Sequence, residues 1–396
     1  MHKYFLRTTY VLLIAISFLQ INCTPKKSIS SFEKTYGSGA TNFGWSVIEA
    51  KDGNYVMLGE SRMFESGTDN ILLLKSDENG NILWEKSFGD NGNDNGRSLL
   101  ETPDGGFILF GSVYTFTGTG WDMSLIKTDS DGNKVWGREY GSDKREKGFC
   151  VRQTSDGGYI MLGQTDSFGF GGSDLFLVKT DSDGVEEWSN TFGGKGNDYG
   201  SSVLQTADGG YIMIGKSASF SSGWDSYMVK ADSDGDEVWS KTISTAKDDY
   251  SNSLLQTADG GYIVLVCFWD VKAGKWKLSL LKTDDYGEVK WSKIYSSSSD
   301  AFGNSVSQTS DGGYVILGKT KSSDKKSWDM YLIKTDSNGD TLWEKRYGEN
   351  LDNEYGVSVV ETTDGGYLLY GYSEYYRSRK VEMYLIKTDN NGRILH

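Results

Sequence analysis

The chain has 396 residues, with 50 glycines, 24 tyrosines and 12 tryptophans against 2 prolines, a composition of strands and tight turns. With 55 acidic against 41 basic residues the net charge is −14, which favours solubility and disfavours nucleic acid or anionic lipid as a partner. Histidine occurs only at His2 and His396, which excludes Ser-His-Asp, Cys-His and His-ligated zinc chemistry from the interior of the chain.

In chain order, residues 1–22 read as a lipoprotein export signal. Lys3 and Arg7 give the positive end, and Thr8–Ile21 supplies an apolar core too short for a stable span. The segment ends on Leu19-Gln20-Ile21-Asn22-Cys23, which resembles a bacterial lipobox, with Asn22 where a Gly, Ala or Ser usually stands. The resemblance implies lipid attachment at Cys23, with diacyl or triacyl (palmitate-type) modification supplying two-chain anchoring. Ordinary cleavage beside an incidental cysteine is the alternative. Residues 23–31 then form a short tether. Loss of Lys3 and Arg7 with the leader takes the net charge from −14 to −16.

Residues 32–396 are written as one repeating phrase. Asp-Gly-Gly (once Asp-Gly-Asn) recurs at Asp52, Asp104, Asp156, Asp208, Asp259, Asp311 and Asp364, at spacings of 51 to 53 residues. A Lys-x-Asp phrase follows each turn, from Lys75-Ser76-Asp77 to Lys387-Thr388-Asp389. A tryptophan follows in turn at positions 84, 136, 188, 239, 291 and 343, and the chain ends before a seventh. Its continuation matches the start of the body: Phe32-Glu33-Lys34-Thr35-Tyr36-Gly37 parallels Trp84-Glu85-Lys86-Ser87-Phe88-Gly89.

One unit reads as four strands: Ser201–Thr206, Tyr211–Gly215, Asp225–Lys230 and Glu237–Ile243, termed A to D outward from the axis. Asp-Gly and Asn-Gly turns separate them because the hairpins need positive φ. Self-similarity at this period predicts an all-β, seven-bladed β-propeller of four-stranded antiparallel blades. The N-terminal strand 32–36 is expected to complete blade 7 and close the ring. The body is thus one domain, 32–396, and is expected to be a monomer.

The phrases Thr-x-Asp-Gly-Gly-Tyr and Lys-Thr-Asp-x-x-Gly-x-x-x-Trp resemble the repeats of bacterial exported and lipoprotein seven-bladed β-propellers. The second phrase also resembles the tryptophan-docking repeat of quinoprotein dehydrogenases and of the barrel-assembly scaffold lipoprotein, which usually have eight blades. The resemblance spans essentially all of 32–396 and implies a fold and an exported location at the bacterial outer membrane, periplasmic or surface-facing. It implies no single activity.

What repeats reads as architecture. The six tryptophans are expected to wedge between successive units. Asp-x-(Asp/Asn)-Gly, as at Asp129–Gly132, resembles half a calcium loop but lacks a consistent later acid, so it reads as a capped turn. Glu49, Glu101 and Glu361 precede the first turn of neighbouring units, where other units carry Gln, and form a candidate cation wedge. Cys150 and Cys267 fall at different repeat positions and read as buried, unbridged thiols.

Function is expected in what varies, and the variable segments are the D–A and B–C loops of one face. Aromatics there are candidate partner-binding anchors: Trp121, Phe170, Trp224, Trp269, Trp276, Trp328, Tyr375 and Tyr376, with Phe64 and Phe116 among the other loop aromatics. Acids before strand A, such as Asp94, Glu146, Asp198, Asp249, Asp300 and Glu354, share that face. The leading reading is an envelope-anchored, non-catalytic propeller that binds a protein or carbohydrate there. It needs no cofactor and meets the membrane only through its anchor. One alternative is a carboxylate- or cofactor-dependent propeller hydrolase, lyase or quinoprotein. Against it, the ten arginines do not recur at one inward position. The other is an outer-membrane assembly scaffold.

Overall fold

The computed structural model describes residues 31–395 except 38–40, 63–67, 90–91, 116–119, 244–247, 296–298, 322–326 and 349–351. The leader 1–22, Cys23 and residues 24–30 of the tether, together with Phe64 and Phe116, lie outside the described residues. Among the described residues the chain is all strand, from β1 (Phe32–Tyr36) to β28 (Val381–Thr388), with no helix.

The fourth repeat illustrates the unit. Its strands A (Asp198–Gln205), B (Tyr211–Ser217), C (Asp225–Ala231) and D (Glu237–Ile243) pair antiparallel in sequence order. Strand A begins three residues earlier than its sequence suggests, because Gly200 is not a strand breaker. It lies inside the strand where the preceding repeat crosses it: a Cβ there would sit 2.6 Å from Leu162 Cγ and 3.0 Å from the Gly163 carbonyl. Strands B and C are buried along most of their length, whereas D is exposed or half-buried throughout.

Every strand A carries the same irregularity. Its pairing to B slips by one residue just after this position, at Gly44/Ser46, Gly96/Ser98, Gly148/Cys150, Gly200/Ser202, Ser251/Ser253, Gly303/Ser305 and Gly356/Ser358. One residue per repeat is left out of the ladder, the signature of a β-bulge, which bends a strand and re-aims a side chain.

The repeated phrases form the turns and clamps. In the A–B turn, Gly209 has φ of +86° with open space around it, so conformation alone selects glycine. The aspartate opening each such turn accepts an ion pair from the lysine of strand C, from Lys75–Asp52 at 2.7 Å to Lys387–Asp364 at 2.9 Å. All seven lysine side chains are nearly buried, at 0–12% exposure. In the C–D turns Asp129, Asp181, Asp232, Asp336 and Asp389 each accept two backbone N–H groups of their own turn. They are Asx caps.

The tryptophans lie between repeats. Trp84 rests on Gly132 of the next C–D turn, where a Cβ would meet the ring at 2.8 Å, and Trp136, Trp188, Trp239, Trp291 and Trp343 repeat the contact at Gly184, Gly235, Gly287, Gly339 and Gly392. Phe32 stands in the same way on Gly80. Tyr36 donates its hydroxyl to the Gly80 carbonyl at 2.8 Å, as Tyr140 does to Gly184 and Tyr347 to Gly392.

Hydrogen bonding divides the strands into six sheets, five of four strands and one of eight. Seven were expected. The eight-stranded sheet contains the strands of repeats 1 and 7, joined by a single parallel pair, Thr41↔Val381. Within it β1 pairs antiparallel with β28, from Phe32↔Lys387 to Tyr36↔Met383. Seven buried apolar clusters each combine two repeats, and one of them unites Val47 and Met57 of repeat 1 with Leu368, Tyr370 and Leu385 of repeat 7.

Candidate functional site

The bulges converge. The residues they release, Trp45, Arg97, Phe149, Ser201, Asn252, Asn304 and Val357, all line one central cavity of about 790 Å³. The residue two before each bulge adds Asn95, Lys147, Tyr199, Tyr250, Phe302 and Tyr355, and strand B adds Ser112, Gln164, Lys216, Lys319 and Tyr372. All seven repeats contribute, and at these slots no two repeats present the same set of side chains. Its volume falls in the range of small-molecule sites.

The charge of the cavity runs against that of the chain. Its lining includes Arg97, Arg145, Lys147, Lys216 and Lys319 and no carboxylate, in a protein with an excess of acids. Arg145 pairs with Asp166 at 3.0 Å. Among the described residues the other four make no ion pair within 4 Å; they rest on rings instead. The Arg97 guanidinium lies 3.5 Å from the centre of the Trp45 ring, and the Lys147 ammonium 5.2 Å from Trp121. Lys216 is caged by Tyr199, Trp224 and Tyr250 at 5.2, 4.7 and 4.8 Å. Lys319 is caged by Phe302, Trp328 and Tyr355 at 5.3, 4.8 and 4.4 Å. Such contacts offset only part of the loss of water, at about 0.5–2 kcal/mol each.

Desolvation accordingly lowers the pKa of all four cations. Glu60 opposes the effect at Arg97, and Glu374 does so at Lys319. Glu60 is itself held above the ordinary carboxylate range by burial, with Arg97 acting in the opposite sense. Burial pushes the Cys267 thiol up to about 12, and its sulfur accepts the Gly303 N–H at 3.1 Å. Cys150 and Cys267 are both buried and free.

The loop aromatics divide into two groups. Trp121, Trp224, Trp276 and Trp328 stand at the start of strand C and touch cavity residues: Trp224 stacks on Tyr199 at 5.3 Å, and Trp276 lies 5.1 Å from Tyr250 and 5.2 Å from Phe302. Trp269 joins them through Trp276 at 5.8 Å. Phe170 and Tyr376 are 79% and 72% exposed, and neither they nor Tyr375 line the cavity.

The acids that the sequence places on the loop face are not free loop groups. Asp94, Glu146, Asp198, Asp249 and Glu354 are buried. Asp94 accepts the Tyr114 N–H, Asp198 the Gly194 N–H, and Glu146 the Ser142 N–H and the Thr165 hydroxyl. They tie the connections together, and that need for backbone partners explains why an acid recurs there. Glu49, Glu101 and Glu361 likewise bind turns of the neighbouring repeat: Glu101 accepts the Lys51 N–H, Glu361 the N–H and hydroxyl of Ser310, and Glu49 the same groups of Thr363. Gln205 accepts the Ser155 N–H in the same manner. Among the described residues no group of three or more His, Cys, Asp or Glu is placed to hold a metal ion.

The cavity residues are not among the residues the sequence singles out, because their variation lies within strands and not in loops. The signal lay inside the strands. Aligning the seven copies on their turns exposes the variable slots, with Lys216 and Lys319 at a position that carries Glu60, Ser112, Gln164, Cys267 or Tyr372 elsewhere. The cations are mostly lysines spread over several slots, so a search for a recurrent arginine passes over them.

Four-stranded antiparallel sheets packed in succession, with their first strands around a central cavity, define a β-propeller. Solved structures support that class. The chain aligns with puromycin hydrolase (TM-score 0.55, 14% identity) over 87% of its own length and 51% of that chain. It aligns with the Neurospora crassa Pan2 WD40 domain (0.53, 9% identity) over 94% and 93%. The β-propeller domain of the Trilobed protease from Pyrococcus furiosus, described as having an open velcro topology, aligns over 88% and 95% (0.50, 10% identity). At these identities the likeness concerns fold alone. No protein-family model matches the chain. A stretch of 160 residues, 34% of the chain, is 24% identical to Regulatory protein FlaEY of Caulobacter vibrioides and spans 17% of that protein's length.

Proposed function

We propose that this chain is a closed, seven-bladed β-propeller, exported and held at the cell envelope through Cys23, that binds a ligand in its central cavity without transforming it. The carrying observation is the lining of that cavity: five cations, no carboxylate and a different set of side chains from every repeat, in an otherwise repetitive acidic chain. A slot filled for structural reasons repeats, as the tryptophans and the Lys–Asp clamps do. The cavity slots do not.

Closure rests on β1. Its pairing with β28, the seat of Phe32 on Gly80 and the Thr363-to-Glu49 bonds reproduce the contacts between consecutive repeats. The seventh blade then comprises strands A to C of repeat 7 and β1, and no open sheet edge remains between the chain ends. The five tryptophans joined to the cavity form its rim, so the loop face and the cavity are one binding surface.

Hydrogen–deuterium exchange with any ligand that raises the melting temperature tests the site. Protection is expected in strands A and B around Arg97, Lys147, Lys216 and Lys319. Protection confined to the outer D strands, or turnover of the ligand, overturns the proposal.

A further inference from the structure

The cavity also carries information about what it holds. We infer that the central cavity binds an acidic saccharide, a short chain of sugars bearing carboxylates, with Arg97, Lys147, Lys216 and Lys319 meeting its charges. The inference rests on reading the cavity as the binding site. Three observations carry it.

The first is charge without a contact ion pair. Burying a cation is unfavourable unless it is paired, and these four rest on aromatic faces, with Glu60 acting on Arg97 and Glu374 on Lys319 only from beyond ion-pair distance. An arriving carboxylate supplies the missing partner in a half-desolvated site, where charge-assisted hydrogen bonds are at their strongest.

The second is spacing around the axis. The cations come from four different repeats, the second, third, fourth and sixth. A single phosphate or sulfate is met by donors gathered at one point. Four separate cations fit a ligand whose negative charges are themselves distributed, one per unit.

The third is the rest of the lining. Asn252 and Asn304 donate their amide nitrogens to the Gly303 and Gly356 carbonyls at 2.7 Å, which fixes each amide and leaves its oxygen available to a hydroxyl. Fixed amides and the Ser201 hydroxyl suit a hydroxyl-rich ring. An apolar anion would leave these polar groups unused.

The experiment is calorimetric titration of the full chain with trigalacturonate, its fully methyl-esterified form, a hexaglutamate peptide and inorganic phosphate. Trigalacturonate is expected to bind saturably, and the ester, which keeps the sugar and loses the charge, to bind at least tenfold more weakly. Lys216→Met and Lys319→Met should each weaken trigalacturonate about tenfold, the effect of losing one charged hydrogen bond. Lys216→Arg should retain most of the affinity, which separates lost charge from lost folding, and thermal melts of each variant check the fold directly. Equal binding of ester and acid, or affinity unchanged in both methionine variants, overturns the inference. Binding of hexaglutamate or phosphate in place of trigalacturonate, with loss in Lys216→Met, overturns the saccharide but leaves the cavity standing as the site. If no probe binds, the inference fails. The exchange experiment above then judges the cavity independently.

Discussion

Whether β1 is a true closing strand or a segment resting on the sheet can be decided by comparing Tyr36 with its counterpart inside the chain. Tyr36 is 6% exposed, belongs to the apolar cluster between repeats 1 and 7, and donates to the Gly80 carbonyl at 2.8 Å. Tyr140 is 5% exposed, lies in the cluster between repeats 2 and 3, and donates to the Gly184 carbonyl at 2.6 Å. The two environments match, and what differs is that Tyr140 is linked covalently to its blade. Truncating a buried aromatic to alanine costs about 3–5 kcal/mol. The lost hydrogen bond adds about 1 kcal/mol, since a carbonyl is left without its donor. A total near 5 kcal/mol is comparable to the net stability of many whole domains. Tyr36→Ala and Tyr140→Ala should therefore lower the guanidinium unfolding midpoint by similar, large amounts. Tyr36→Phe and Tyr140→Phe should each cost about 1 kcal/mol. Tryptophan fluorescence reads the transition, because the interblade tryptophans report six junctions and Trp45, 6.0 Å from Tyr372, reports the one that Phe32 fills. A small shift for Tyr36→Ala beside a large one for Tyr140→Ala would falsify closure by β1, since a segment that frays before global unfolding contributes nothing to the midpoint.

Three further outcomes are expected. Asp156, Asp259 and Asp311 are lowered from 3.8 to about 2, chiefly by hydrogen bonds from their clamping lysines and turn threonines. Their contribution to stability is complete above pH 4 and lost as the pH falls through about 2, so the melting temperature should drop across that window; a flat profile there rejects the clamps as stabilising. Gly235→Ala should destabilise more than Gly209→Ala: both have φ near +86°, at a strain of about 1–2 kcal/mol, but only at Gly235 would the Cβ strike Trp188, at 2.6 Å. Denaturant midpoints in the reverse order contradict the wedge. Cys23→Ser should abolish incorporation of an alkyne-tagged fatty acid and release the chain from the membrane fraction, whereas persistent labelling places the lipid elsewhere.

The fold was legible because its determinants are local and repeated seven times. Asp-Gly-Gly marks a turn from chemistry alone, and the Val, Trp, Thr and Ile of Glu237–Ile243, following the Asp232–Gly235 turn, mark a strand. Phe32 could be matched to Trp84 by spacing. The merging of repeats 1 and 7 into one sheet was not legible, since it turns on one parallel pair between Thr41 and Val381. The site was legible in part. Trp121, Trp224, Trp276 and Trp328 stood out as large aromatics in variable loops, and their contacts do lead to the cavity. The cavity itself was hidden because a bulge leaves little mark in sequence. Nothing local in Asn95-Gly96-Arg97-Ser98 tells that Arg97 leaves the ladder and faces the centre, and the register of Gly96 against Gly111 decides it. The acids before strand A misled for a related reason: a carboxylate beside a loop looks solvated until the backbone groups it binds are seen.

If the cavity cations serve a ligand rather than the frame, removing them should not harm the frame. The frame tolerates other residues in the same slots: Ser112 and Cys267 occupy in repeats 2 and 5 the position of Lys216 and Lys319, with the same bulge and the same pairing. Both lysines have pKa values lowered by burial, so their charged forms are less favourable in the folded chain than in the unfolded one. At neutral pH each one therefore costs stability, the reverse of a paired lysine such as Lys179, whose bonds to Asp156 and Glu187 outweigh its burial and raise its pKa. Methionine keeps the aliphatic stem against the rings and removes the charge. Lys216→Met and Lys319→Met should thus leave the melting temperature unchanged or raise it, while Lys179→Met should lower it. Differential scanning calorimetry on the three variants makes the comparison. A loss of stability in the cavity variants as large as that in Lys179→Met would assign these lysines to the frame, and with them the argument for a site would fall.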